Sequence, residues 1–247
     1  MRIAALLATY LFAAAAPALG DELVVSAAAS LTNAFRDIGK SYEAVHPGTT
    51  VLFNFAASDV LLAQIAKGAP ADVFASADQS AMDRASQDGL VAPASRRDFA
   101  ANALVLIVPA AAEPVTGLSA LTAPRFKRIA LGSPQTVPAG RYAKEALDRA
   151  GLWTALDAKL VFAQNVRQVL DYVAREEVEA GFVYATDAAI VPDKVGVALD
   201  VATATPVRYP IAVVKESRHT EAAGAFVDFV TGAAGQRTLS RYGFRGP

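Results

Sequence analysis

The 247-residue chain has no cysteine and only two histidines, His46 and His219. Without thiols there is no disulfide, no thiolate metal site and no cysteine to carry a lipid. The histidines stand apart: His46 precedes Pro47 in a predicted surface turn, and His219 lies in a polar segment before the terminal helices. Neither a His-rich metal centre nor a His-based triad is supported by two such residues. A glycine-rich phosphate loop of the nucleotide-binding type is missing as well. Charged residues make up only 19% of the chain and sum to a formal net charge of -1, a balance that gives no support for a nucleic-acid or acidic-membrane partner. Internal repeats, low-complexity tracts and blocks of one charge are all lacking.

What is present is apolar, at 53% of residues, which predicts a packed globular protein. Met1-Arg2, an apolar run from Ile3 to Ala16, and Pro17-Ala18-Leu19-Gly20 with small residues at positions 18 and 20 read as a secretory signal over residues 1–20. The run is shorter than the ~20 residues of a spanning helix, so it is not read as a membrane anchor. Its removal takes away only Arg2 and moves the net charge from -1 to -2. The expectation is an exported, unanchored, monomeric protein, retained in a periplasm.

The organising stretch is 23–35. Leu23, Val24 and Val25 suit a buried strand, Ala27 to Ala29 narrow the chain, and Ser30 precedes a helical pattern through Phe35 and Ile38 that ends near Tyr42. Ser30 is placed as an N-cap; it either caps and nothing more, or sits where unpaired amides and the helix dipole receive an anion. Val51, Phe53 and Phe55 alternate as a strand, and Ala56-Ala57-Ser58 repeats the grammar ahead of a helix over 60–67. Strand 73–75 delivers Ser76-Ala77-Asp78 to its end before a helix over 81–87. Strands are then read at 103–108, 129–131, 160–162, 181–184 and 207–214. Helices are read from Pro138 to about Ala150, over 166–175 behind Asn165 as N-cap, and over 221–230 and 235–242. This alternation predicts an α/β protein with mixed, parallel-rich sheets. The division expected is residues 21–101 with 205–247 in one lobe and 102–204 in the other, crossed near Asn102 and near 203–206.

Small polar residues at strand-to-helix turns are a binding inventory, not a catalytic one. Ala27-Ala28-Ala29-Ser30-Leu31-Thr32-Asn33-Ala34, Gly68-Ala69-Pro70-Ala71-Asp72-Val73-Phe74 with Ser76-Ala77-Asp78, Val137-Pro138-Ala139-Gly140-Arg141-Tyr142-Ala143-Lys144, Asn165-Val166-Arg167 and Gly181-Phe182-Val183-Tyr184 together resemble the periplasmic molybdate-binding proteins of ABC importers. The resemblance spans the mature chain, with its motifs in order. It implies a type II periplasmic binding-protein fold, molybdate or tungstate as ligand, an inner-membrane permease as partner, and neither cofactor nor catalysis. It further implies a ligand set: the hydroxyls and amides of Ser30 and Ser58, the amides of Ala77, Ala139 and Val166, and the Tyr184 phenol.

Asp59 departs from that pattern, and its carboxylate is expected to face solvent; turned inward, it would repel a dianion. Arg141 and Arg167 either steer the anion from the rim or lie on solvated helix faces. Tyr184 has an alternative role as a buried aromatic whose hydroxyl is satisfied by protein. The rival readings are a binding protein for another oxyanion such as sulfate, and a hydrolase or transferase acting on an anionic substrate, which needs a nucleophile with a positioned base.

Overall fold

The computed structural model describes residues 21–247, so the signal expected over 1–20 lies outside the described residues. The chain opens with β1 (Asp21–Ala28), whose Leu23, Val25 and Ala27 are fully buried. A 3-10 turn over Ala29–Leu31 leads to α1 (Thr32–Val45), followed by β2 (Thr49–Ala56), α2 (Ser58–Ala66), β3 (Val73–Ala75) and α3 (Gln79–Gln87). β1 pairs in parallel with β2 on one side and β3 on the other. Parallel neighbours require crossover helices, and those helices bury their apolar faces on the sheet. Phe35 and Ile38 of α1 are accordingly inaccessible, and the Phe35 ring packs edge-on against Phe53 and Phe226.

β4 (Arg97–Asn102) completes this sheet, and the single residue Ala103 carries the chain to β5 (Leu104–Pro109) of a second sheet. There follow β6 (Ile129–Gly132), α4 (Pro138–Arg149), the short α5 (Trp153–Leu156), β7 (Leu160–Ala163), α6 (Val166–Ala174), β8 (Ala180–Tyr184), α7 (Ala185–Ala188) and β9 (Val195–Val201). Residues 202–206 return the chain to β10 (Val207–Val213) in the first sheet, where α8 (Thr220–Thr231) and α9 (Ala233–Arg241) close the fold. The strand orders are β2-β1-β3-β10-β4 and β7-β6-β8-β5-β9. In each sheet the first three strands are joined by parallel pairings and the last two are added by antiparallel ones. This is the two-domain, mixed α/β architecture expected from the alternation of elements.

Two strands lie outside the elements expected from the sequence. β4 buries only the adjacent Phe99 and Ala100 and has no alternation to read, whereas the edge strand β9 alternates at Val195, Val197, Leu199 and Val201 but buries only the two end positions. Their partners, β10 and β5, supply the ladder that defines them.

β1, β2 and β3 end at Ala28, Ala56 and Ala75, and β6, β7 and β8 at Gly132, Ala163 and Tyr184. The crevice outside such carboxyl ends is where α/β sheets receive ligands. α4 approaches this edge closely: a Cβ on Gly140 would fall 1.9 Å from the Gly132 carbonyl oxygen. Only glycine permits that contact, which fixes the amino terminus of α4 against β6.

Candidate functional site

One small cavity lies between the two sets of strand ends. It is lined by Ala28, Ala29 and Ser30 after β1, by Ala57 and Ser58 after β2, and by Ala77 after β3. From the other sheet come Val137 to Ala139, Asn165 with Val166, and Tyr184. All six expected ligand residues are thus brought together. The cavity has only about 10 Å³ of free room, far below the ~300–1,000 Å³ typical of sites for drug-sized ligands. Its lining contains no Asp, Glu, His, Lys or Arg. A roomier space of about 470 Å³ lies at the opposite end of the first sheet's strands, against Asp72 and His219. There the Asp72 carboxylate already accepts from Val24 N, Ser217 Oγ and the His219 ring, so the polar groups are mutually satisfied.

Ser30 is not the helix cap expected of it. It occupies the middle of the 3-10 turn, and its Oγ lies 3.1 Å from the Tyr209 hydroxyl. Tyr209 is fully buried on β10, and its oxygen accepts from Asn102 Nδ2 at 3.3 Å. The Ser30 and Tyr209 hydroxyls share one hydrogen bond, in which either can donate, and this bond together with that of Asn102 fixes Ser30 at the cavity wall. No sequence signal links Ser30 to Tyr209, which is 179 positions away.

Ser58 is the first residue of α2 and completely buried. Its Oγ accepts the Ala77 amide at 3.0 Å, which corrects the expectation for Ala77: that N–H is already engaged. Ala77 therefore acts through Ser58, whose own proton remains free to point inward. Ala139 follows Pro138 at the start of α4, and Val166 opens α6 behind Asn165, whose side chain accepts from Gln168 N at 3.0 Å as the cap expected. The amides of Ser30, Ser58, Ala139 and Val166 have no acceptor among the described residues, as first-turn geometry dictates. Tyr184 ends β8 with its hydroxyl 3.4 Å from the Ala77 carbonyl, a long bond that a better acceptor can replace. Burial raises the pKa of both Tyr184 and Tyr209 well above the ordinary phenol value, so both remain protonated donors.

The charged neighbours differ from expectation. Arg141 and Arg167 neither line the cavity nor lie on solvated faces. Arg141 bonds Asp78 Oδ2 through Nε (3.0 Å) and Nη2 (2.6 Å), and Asp59 Oδ2 through Nη2 (2.7 Å). Asp59 does not face solvent either: its side chain is 12% exposed and also pairs with Arg84. Arg167 meets the fully buried Asp187 at 2.5 Å and also reaches Asn33 Oδ1 and the Ser30 carbonyl. Burial raises the Asp187 pKa, while Arg167 opposes that rise. Each cation beside the cavity is matched by carboxylates, so the walls present N–H and O–H dipoles with little net charge.

The described residues contain no cluster of His, Cys, Asp and Glu able to hold a metal ion. Neither Ser30 nor Ser58 has a base on its Oγ, since their partners are a phenol and a backbone amide. The arrangement is built to hold a small anion by hydrogen bonds.

Comparison with known proteins agrees with this chemistry. The chain is 40% identical over 243 residues to the molybdate-binding protein ModA of Escherichia coli, covering 94% of this chain and 93% of that protein. It also superposes on the substrate-binding domain of a putative molybdenum ABC transporter from Clostridium difficile. That match has a TM-score of 0.69 and 37% identity, over 92% of this chain and 99% of that one. The sulfate-binding protein SubI of Mycobacterium tuberculosis shares the fold at a TM-score of 0.79 but only 17% identity, over 92% of this chain and 87% of that one. The profile of bacterial extracellular solute-binding proteins matches residues 23–245, and the chain belongs to that family.

Proposed function

We propose that this protein is the periplasmic substrate-binding component of an ABC importer, taking molybdate or tungstate in the inter-lobe cavity and presenting it to an inner-membrane permease. The observation that carries the reading is a cavity of neutral donors drawn from both sheets, whose neighbouring guanidiniums are already paired with carboxylates. The ligand set is the hydroxyls and amides of Ser30 and Ser58, the amides of Ala139 and Val166, and the Tyr184 phenol, with Ala77 orienting Ser58. Hydrogen bonds to a charged partner contribute roughly 1.5–3 kcal/mol each. A rigid set of them offsets the cost of association and brings sub-micromolar binding, about -8 kcal/mol or better, within reach.

Selection follows from the donors. A protonated phosphate brings an O–H for which the lining offers no charged acceptor, whereas a fully deprotonated tetraoxo dianion takes every donor. Sulfate carries the same charge and is discriminated by size. The lobes that close on the ion are residues 21–102 with 205–247 and residues 103–204, Asn102 lying on β4 of the first sheet, and they hinge at Ala103 and 202–206. The protein works as an exported, unanchored monomer without a cofactor and without catalysis. Calorimetric titration with molybdate, tungstate, sulfate and phosphate tests the whole reading: tight binding of the first two is expected, and tight sulfate binding with no molybdate response overturns it.

A further inference from the structure

Asp59, Asp78 and Arg141 form one charge cluster joining helices of opposite sheets: Asp59 on α2, Asp78 capping α3, Arg141 on α4. Their side chains are only 12%, 5% and 19% exposed. Each carboxylate directly follows a cavity residue, Ser58 or Ala77, and Arg141 lies two positions beyond Ala139. Asp78 is held by its own lobe as well, because its Oδ1 accepts Ala81 N at 3.1 Å. Asp59 is held by Arg84. The fork of Arg141 thus spans two carboxylates fixed in advance, and making those bonds brings Ser58 and Ala77 to the start of α4.

We propose that Arg141 is an affinity-setting residue of the oxyanion site that never touches the anion. It clasps Asp59 and Asp78 across the cleft mouth and slows ligand release by holding the lobes together. A planar fork bonded to two partly buried carboxylates suits this role better than steering, because its charge is already compensated and adds little to the field that an approaching dianion meets. Closure is then shared between the anion, which bonds both lobes from inside, and the clasp, which bonds them at the rim. The bridge at Arg167 is of another kind, since Arg167 on α6 and its carboxylate partner Asp187 on α7 lie on the same side of the cleft and only Asn33 and the Ser30 carbonyl lie across it.

This inference rests on the reading of the cavity as an oxyanion site, and two measurements separate them. Calorimetry on the wild type with molybdate decides the site. The clasp is decided by stopped-flow exchange kinetics with molybdate and by spin-label distances between cysteines introduced at the exposed Lys67 and Arg175, one beside each sheet. The absence of native cysteine makes that labelling clean. Arg141→Ala is expected to raise the molybdate off-rate about tenfold with the on-rate nearly unchanged, and to lengthen the label distance with molybdate present, absent, or both. Arg141→Lys should recover part of the off-rate. Adding Asp59→Asn to Arg141→Ala should change it much less than Asp59→Asn does alone. Thermal melts of each variant confirm folding. A reduced on-rate with an unchanged off-rate would make Arg141 a steering charge and overturn the clasp, as would unchanged off-rates and distances together. A wild type that binds no oxyanion overturns the site, and the label distances alone then decide the clasp.

Discussion

Ser30 and Tyr209 illustrate how a cavity hydroxyl is held in place from behind. Asn102 donates to the Tyr209 oxygen, and the Tyr209 and Ser30 hydroxyls share a hydrogen bond, so Ser30 is anchored at the cavity wall. Ser30→Ala should weaken molybdate binding about ten- to a hundredfold by removing one charge-assisted bond, as read by calorimetry. Tyr209→Phe removes the partner that anchors the Ser30 hydroxyl and strips Asn102 of an acceptor. Its expected signature is a roughly tenfold affinity loss together with about 1–3 kcal/mol of stability in urea unfolding. The two buried phenols also set a pH limit. Their pKa values are raised by burial, so their contribution is complete below the ordinary value of about 10 and is lost as pH climbs through the raised values. Urea midpoints should therefore fall as pH rises above about 10, less steeply in Tyr184→Phe, while molybdate affinity shows no tyrosine titration below that pH.

At the scale of elements, the site is a set of helix beginnings held at one level. α2, α4 and α6 each start within two or three residues of a cavity group, and each is pinned by something behind it. α6 has the Asn165 cap, α2 the Ala77–Ser58 bond, and α4 the bare contact of Gly140 with Gly132. Gly140→Ala places a methyl into the Gly132 carbonyl, and α4 must retreat. A cost of about 1–3 kcal/mol in stability is expected, with molybdate affinity lost in greater proportion than in surface variants of α4 such as Glu145→Ala. Paired urea melts and titrations check this. Most of these helix starts were legible in the sequence because Pro138, Asn165 and the Ala-Ala-Ser repeats are local signals. β4 was not, because an edge strand with two adjacent buried positions resembles a loop until its partner is known, whereas β9 does carry an alternation from Val195 to Val201.

For the molecule as a whole, two sheets of like strand order are joined only by Ala103 and residues 202–206, so contacts across the crevice carry the remaining coupling. A ligand that bonds both sides adds its binding free energy to that coupling. Molybdate at about a thousand times its dissociation constant should contribute roughly 4 kcal/mol and raise the melting temperature by on the order of 10 °C, measured by calorimetric scanning. Arg141, Asp59 and Arg167 belong to this scale as well. Their spacing along the chain admitted solvated faces or steering charges, and only the closeness of the two sheets pairs Arg141 with residues 63 and 82 positions away.

The sequence by itself determined the alternation of strands and helices, the small polar residues at the turns, and the lack of any thiol, because each is set by neighbouring residues or by composition. Tertiary structure decided what those turns do. It gave the Ala77 amide to Ser58, set Tyr209 behind Ser30, and neutralised two arginines with carboxylates from distant helices. Hydrogen bonds and ion pairs between remote residues form only once the backbone fixes both partners within about 3 Å, and that distance is a property of the fold.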